Sequence, residues 1–263
     1  MVQKTFIKTQ EEIAIIREGG KRLGRILSIL RDAVVPWVTT RALDQLAEKL
    51  IRADGDEPAF LNYSPQGARV PYPGTLCVSV NDEVVHGIAG ERVLHEGDII
   101  GIDLGIKHGG LFTDAALTVP VGAIDTGAQK LMAVTQGALM AGIDSARVGK
   151  KTGDIGYTIN NFIKKNRGNN FFTIVEELGG HGVGYKQHED PYIANYGTRG
   201  SGTPLKAGMV IALEPIVNEG TRFIKCMPDG YTYVTCDHKR SAHFEHTILI
   251  TDGTPEILTA RNQ

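Results

Sequence analysis

Read from its amino end, the chain alternates between helical and strand-like spacing of its apolar residues. Thr9 followed three residues later by Glu12 has the form of a capping box, and Ile13, Ile16, Leu23, Leu27 and Leu30 then recur near helical spacing until Pro36 ends the run. Leu43, Leu46, Ala47 and Leu50 share one face of a second helix over 40–53, with Gly55 as its stop. Residues 58–74 are rich in Pro, Gly, Asn and aromatics (Phe60, Tyr63, Tyr72), which predicts a long loop and a pocket wall. Residues 76–81 alternate like a half-buried strand and lead into D-E-V-V-H-G-I around His86. Between 97 and 121, two runs rich in Ile, Leu and Val flank His108-Gly109-Gly110, the pattern of a hairpin. Helices over 126–141 and 152–165 come next, then a strand at 172–176 and a glycine-rich turn with His181 and His188. Strands at 209–217, 231–236 and 243–251 complete the chain.

Two helical pairs, each followed by strands bearing acidic or histidine side chains, predict an internal structural duplication without a direct sequence repeat. The expected architecture is α+β, a single domain over 1–263 with two similar halves, approximately 1–122 and 123–263.

Composition narrows this only moderately. At 263 residues, 41% hydrophobic and 22% charged, the chain is long enough for one sizeable core. Its net charge of -2, from 28 Lys and Arg against 30 Asp and Glu, leaves no electrostatic footprint for DNA or an anionic membrane. No apolar leader or membrane-length stretch occurs, so a cytoplasmic protein is expected. Cys77, Cys226 and Cys236 are odd in number and lack C-x-x-C spacing, which favours reduced structural thiols over a disulfide framework or zinc site.

The chemistry begins with Asp103 and Asp114, two carboxylates on strands that otherwise carry apolar groups. A turn at His108-Gly109 sets them directly opposite, with Cβ atoms roughly 4.5 to 5.5 Å apart, whereas a turn at Gly109-Gly110 makes them diagonal neighbours. Either way they share a face and repel, so a proton or a cation must neutralise them. Glu214 shares a strand face with Val210 and Ala212, and Glu245 shares one with His243. His181 stands between glycines, whose missing side chains leave room for a ligand. Taken singly, each has an ordinary structural explanation, and His95, His108, His238, His243 and His246 read as structural or surface residues. Together Asp103, Asp114, His181, Glu214 and Glu245 form an oxygen-rich set with one imidazole, suited to two divalent ions such as Mn, Co, Fe or Zn. The spacing in G-G-H-G-V-G lacks both the P-loop lysine and the dinucleotide fingerprint.

The series V-N-D-E-V-V-H-G-I, G-D-I-I-G-I-D with an Asp eleven residues on, G-G-H-G-V-G, H-E-D-P, A-L-E-P and F-E-H-T resembles type I methionine aminopeptidases of the bacterial kind, over nearly the whole chain and in family order. That resemblance implies the pseudo-two-fold pita-bread fold, a curved antiparallel sheet covered by helices, and removal of N-terminal methionine from nascent or newly made proteins with a small second residue. It implies that Asp114 and Glu245 bridge two ions and that His86 and His188 contact the substrate. It also places Asn81 and Ser241 near a monovalent cation. Glu214 is then the candidate general base, His188 the stabiliser of the tetrahedral intermediate and His86 a partner of the scissile nitrogen. A water shared by two such ions can be a hydroxide near neutral pH. The expected partners are peptide or nascent-protein N-termini, with a transient ribosome contact, no DNA and no membrane, and the chain is expected to be a monomer.

The chain departs from the family around the methionine pocket. Gln187 stands where Phe or Leu is usual, Tyr231 where Trp is frequent, and the 60–77 loop is longer. Phe60, Tyr63, Gln187 and Tyr231 are the expected substrate-binding residues of that pocket. Two alternatives remain open. An X-Pro aminopeptidase or prolidase shares the fold, but those usually carry a large N-terminal domain, and fewer than 90 residues precede His86. A non-catalytic binding module on the same fold would typically have lost ligands, and all five are here.

Overall fold

The structure, a computed structural model, describes residues 7–65 and 69–261. Helix α1 spans Gln10–Ala33 and opens with the expected capping box, Glu12 N donating to the Thr9 hydroxyl and Thr9 N to the Glu12 carboxylate. Helix α2, Thr40–Ala53, is capped by Thr39. Strands β1 (Glu57–Pro58), β2 (Cys77–Val80), β3 (Glu83–Val85), β4 (Ile99–His108) and β5 (Leu111–Pro120) follow. A second helix pair, α3 (Thr126–Ser145) and α4 (Thr152–Asn166), precedes β6 (Thr173–Ile174), β7 (Gly179–Gly182), β8 (Glu189–Ala194), β9 (Val210–Leu213) and β10 (Ile216–Asn218). The chain closes with β11 (Ile224–Cys226), β12 (Tyr233–Thr235), β13 (Ser241–His243), β14 (His246–Leu249) and β15 (Glu256–Ile257). Two helices followed by strands thus occur twice. No described helix is long and apolar enough to cross a membrane.

Every strand pairing among the described residues is antiparallel. β5 lines one edge of β4, and β2 and β1 share the other. The remaining strands are ordered β13-β10-β6, β11-β12-β3 and β15-β14-β9-β7-β8. One continuous core joins Leu23, Leu27 and Leu30 of α1 to Ile100, Ile102 and Leu104 of β4, to Ile155 and Ile159 of α4, and to Ile211 and Val217. β2 is buried along its whole length, not half-buried as its alternation implied. The strand expected at 172–176 shortens to β6.

The larger corrections concern the last strands. The expected strand over 209–217 is two, β9 and β10, interrupted at Glu214-Pro215, where proline has no N–H to give to a ladder. The strand expected over 243–251 is likewise divided into β13 and β14, interrupted at Phe244-Glu245. Neither Glu214 nor Glu245 therefore lies within a strand.

The carboxyl-terminal segment closes the molecule from behind. A Cβ at Gly20 would come within 2.4 Å of the Leu258 carbonyl oxygen, and one at Gly24 within 2.2 Å of that of Ala260, so these glycines form a groove on α1 that receives the chain. From there the Thr259 hydroxyl bonds His246 Nδ1 and Thr247 N, and Arg261 donates to the Ala116 carbonyl at 2.9 Å.

Candidate active site

The β4–β5 hairpin turns at Gly109-Gly110, both at positive φ (54° and 85°), and closes with His108 paired to Leu111. This register sets Asp103 opposite Ala116 and Asp114 opposite Gly105, making the two aspartates diagonal neighbours on one face. Gly105 matters here, because a Cβ on it would lie 2.7 Å from Phe60 Cε1 and 2.9 Å from Ala59 Cβ. Its missing side chain admits the Phe60 ring beside Asp114.

The two strand interruptions meet. Leu213 pairs with His246 before them and Ile216 with His243 after them, one unbroken register that carries Glu214 opposite Glu245. Glu245 N donates to the Ala116 carbonyl, and Asp114 exchanges two hydrogen bonds with the Thr247 hydroxyl, so β5 is laid against β14. His181 lies on β7, paired with Ala212 of β9, rather than in a glycine-rich turn. The flanking glycines serve strand packing and not ligand approach: a Cβ on Gly180 would sit 2.3 Å from the Ala212 oxygen, and one on Gly182 equally close to that of Asp190.

Asp114, His181 and Glu245 each present a ligating atom within 4.8 Å of the other two, all three buried. His181 Nε2 lies 3.5 Å from Glu214 Oε1. Its Nδ1 is 2.9 Å from the Gly182 carbonyl, which fixes the proton on Nδ1 and turns the Nε2 lone pair to the carboxylates. Burial, then Asp114, hold Asp103 and Glu214 well above the usual carboxylate range. The same causes act on Glu245, and burial pushes Asp114 up to about 7. Asp103 Oδ1, Asp114 Oδ1 and Glu245 Oε1 are buried with no hydrogen-bond partner. Orphaned oxygens converging with an imidazole lone pair are the donor set of a hard-to-borderline divalent cation, so these residues fit the metal ions that the sequence implied.

The cluster opens on a cavity of about 330 Å³. Its lining brings together Asp103, Asp114, His181, Glu214 and Glu245 with His86, His188, Phe60, Tyr63, Gln187 and Tyr231, the residues singled out from sequence. His86 follows β3 with φ at +59°, and Gly87 after it passes so close to β2 that a Cβ would meet the Val78 oxygen at 2.1 Å. Burial, then His188, lowers the His86 pKa to about 4, and burial also lowers that of His188. The Tyr63 hydroxyl lies 3.0 Å from His188 Nδ1. A second cavity shares His86, His181, His188 and Glu214 with the first and continues past Glu177, Lys186, Asp190 and Tyr192.

His243 corrects the sequence reading. Expected to be structural or surface, it lines the cavity at 5% exposure, its Nε2 unpartnered and 3.7 Å from Glu214 Oε2. The signal was present in its shared face with Glu245. Glu214 therefore lies between two imidazoles. Asn81 and Ser241 are adjacent through a 2.8 Å bond from Ser241 N to the Asn81 carbonyl, and neither lines the cavity.

The model of metallopeptidase family M24 matches residues 14–252. Methionine aminopeptidase 1 of Bacillus subtilis is 43% identical over 252 residues, covering 96% of this chain and 98% of that protein. Methionine aminopeptidase from Thermotoga maritima superposes with a TM-score of 0.92 at 39% identity, covering 98% of this chain and all of the other. Prolidase from Pyrococcus furiosus shares the fold at a TM-score of 0.75 and 23% identity, but this chain covers only 66% of it.

Proposed function

The chain belongs to metallopeptidase family M24, and on that premise we propose that it removes the N-terminal methionine of peptides and newly made proteins at the acidic cleft. What supports this reading most is the meeting of orphaned carboxylate oxygens with His181 Nε2 at the floor of an aromatic-walled cavity. Asp103, Asp114, His181, Glu214 and Glu245 would hold two divalent ions, Co, Mn, Fe or Zn. When bound, such ions lower the pKa of water toward neutrality and polarise a peptide carbonyl.

The protein's own groups then do the following. The methionine side chain enters the wall of Phe60, Tyr63, Tyr72, Cys77 and Tyr231, and the peptide leaves through the second cavity past Tyr192. Glu214 accepts the proton of the attacking water and returns it to the departing amine, held between His181 and His243. The Tyr63 hydroxyl donates to His188 Nδ1, which leaves the proton on Nε2 for the oxygen that gains charge at the tetrahedral carbon. His86 accepts a hydrogen bond from the scissile amide nitrogen. The same reading includes a single two-halved catalytic domain, a monomer in the cytoplasm with transient ribosome contact, a small residue after methionine, and a monovalent cation beside Asn81 and Ser241.

The test is to incubate metal-loaded protein with Met-Ala-Ser and Ala-Pro-Ser and identify products by mass spectrometry. Release of free methionine alone is expected. Cleavage of Ala-Pro-Ser alone would transfer the assignment to X-Pro peptidases, and cleavage of neither to a binding module.

A further inference from the structure

The side-chain end of the cavity is lined by Phe60, Tyr63, Tyr72, Cys77, Tyr231 and Gln187. Three of these are tyrosines whose hydroxyls are already engaged. Tyr72 donates to the carbonyls of Leu76 and Gly87, Tyr231 to that of Val70, and Tyr63 is bonded to His188. Gln187 differs. It is 7% exposed, and its Oε1 is buried with no partner. That orphaned oxygen leaves the wall with a carbonyl acceptor in an otherwise apolar and satisfied surface.

A buried acceptor without a partner gains nothing from a thioether, and gains a hydrogen bond when a donor enters. Methionine and glutamine are both unbranched, and their terminal atoms stand the same number of bonds from Cα. The glutamine amide would give its N–H to Gln187 Oε1. We propose that this protein also releases N-terminal glutamine, Gln187 being the residue that admits it. The inference rests on the reading of the cleft as an aminopeptidase. The reaction is the same hydrolysis: the amide C–N bond breaks, hydroxyl adds to the carbonyl carbon, and the proton goes to the leaving amine.

The experiment compares kcat/KM for Gln-Ala-Ser, norleucine-Ala-Ser and Met-Ala-Ser on the metal-loaded protein and on Gln187→Leu. Norleucine has the length of methionine and no polar atom. On the unaltered protein, glutamine should be released at least as efficiently as norleucine, and in Gln187→Leu the glutamine-to-norleucine ratio should fall at least ~10-fold. Because each ratio is taken on one preparation, any change in metal content cancels. A ratio that Gln187→Leu leaves unchanged overturns the proposal. Should that variant fail to fold, a preference for norleucine over glutamine above ~100-fold in the unaltered protein overturns it equally. If Met-Ala-Ser also survives intact, it is the aminopeptidase reading that has failed, and this proposal with it.

Discussion

Glu214 is the residue on which the proposed chemistry turns, because it belongs to the proposed metal-binding set and is also the proposed base. Glu214→Gln keeps the shape and removes the base, so kcat should fall by at least ~10²-fold with peptide binding retained. A variant with normal metal content and more than half the parental kcat would remove Glu214 from that role. Gly105→Ala probes the pocket wall instead. Its new Cβ must push Phe60 aside, so KM for Met-Ala-Ser should rise ~5-fold while metal content stays constant, and an unchanged KM would place Phe60 outside the methionine contact. At this scale the sequence was most informative where charge breaks an apolar run, which is how Asp103 and Asp114 stood out. It was least informative for histidine, since a buried imidazole is as ordinary as a catalytic one. His243 reads as structural for that reason, and its unpartnered Nε2 and 3.7 Å approach to Glu214 distinguish it.

Among the elements, the first helix was legible because its signal is local: Thr9 accepts from a backbone N–H of the first turn as its capping box predicts, while the caps Thr39 and Asp125 stand one residue before the expected helix starts. Strand register was not, because the choice between two adjacent turns depends on contacts from elsewhere. Here His108 Nδ1 lies 2.7 Å from Asp56 Oδ1, keeping His108 in β4 and passing the turn to the two glycines. The divided strands had one readable cue, Pro215, but Glu245 has no proline after it and takes its break from its partner across the register. A further test lies in the groove of α1. Gly24→Ala drives a methyl into the Ala260 backbone, where no side-chain rotation relieves it, and should displace the segment holding Thr259 and Arg261. Overpacking of this kind costs about 1–3 kcal/mol. The melting temperature should fall by roughly 2–4 °C for each of those kcal/mol. An unaltered melting temperature would mean that the segment yields freely and does not brace β14.

For the molecule as a whole, the cleft is where folding stability and metal binding oppose one another. Asp114 is the charge that acts most strongly on Asp103, Glu214 and Glu245, so the metal-free protein holds a repulsive group of carboxylates at its centre. Chelation should abolish activity and restoration of divalent metal should recover it; full activity in protein shown metal-free by elemental analysis would exclude the two-ion centre. Stability follows from the same charges. The Asp114 pKa is raised to about 7, so its stabilising contribution is present below the unfolded value and is lost as pH rises through about 7. The melting temperature of metal-free protein should therefore decline between about pH 5 and about pH 8. Metal at ~100 times its dissociation constant contributes about 2.7 kcal/mol. For a chain of this size that raises the melting temperature by roughly 5–10 °C. Asp114→Asn should invert the order: without metal at about pH 8 it should be more stable than the parent, because the shared repulsion is gone, and with metal less stable, because a ligand is gone. If the variant is the less stable of the two under both conditions, the Asp114 carboxylate gains more from what donates to it, the Ala115 backbone N–H first, than it loses to its neighbours, and the repulsion is not what the metal relieves.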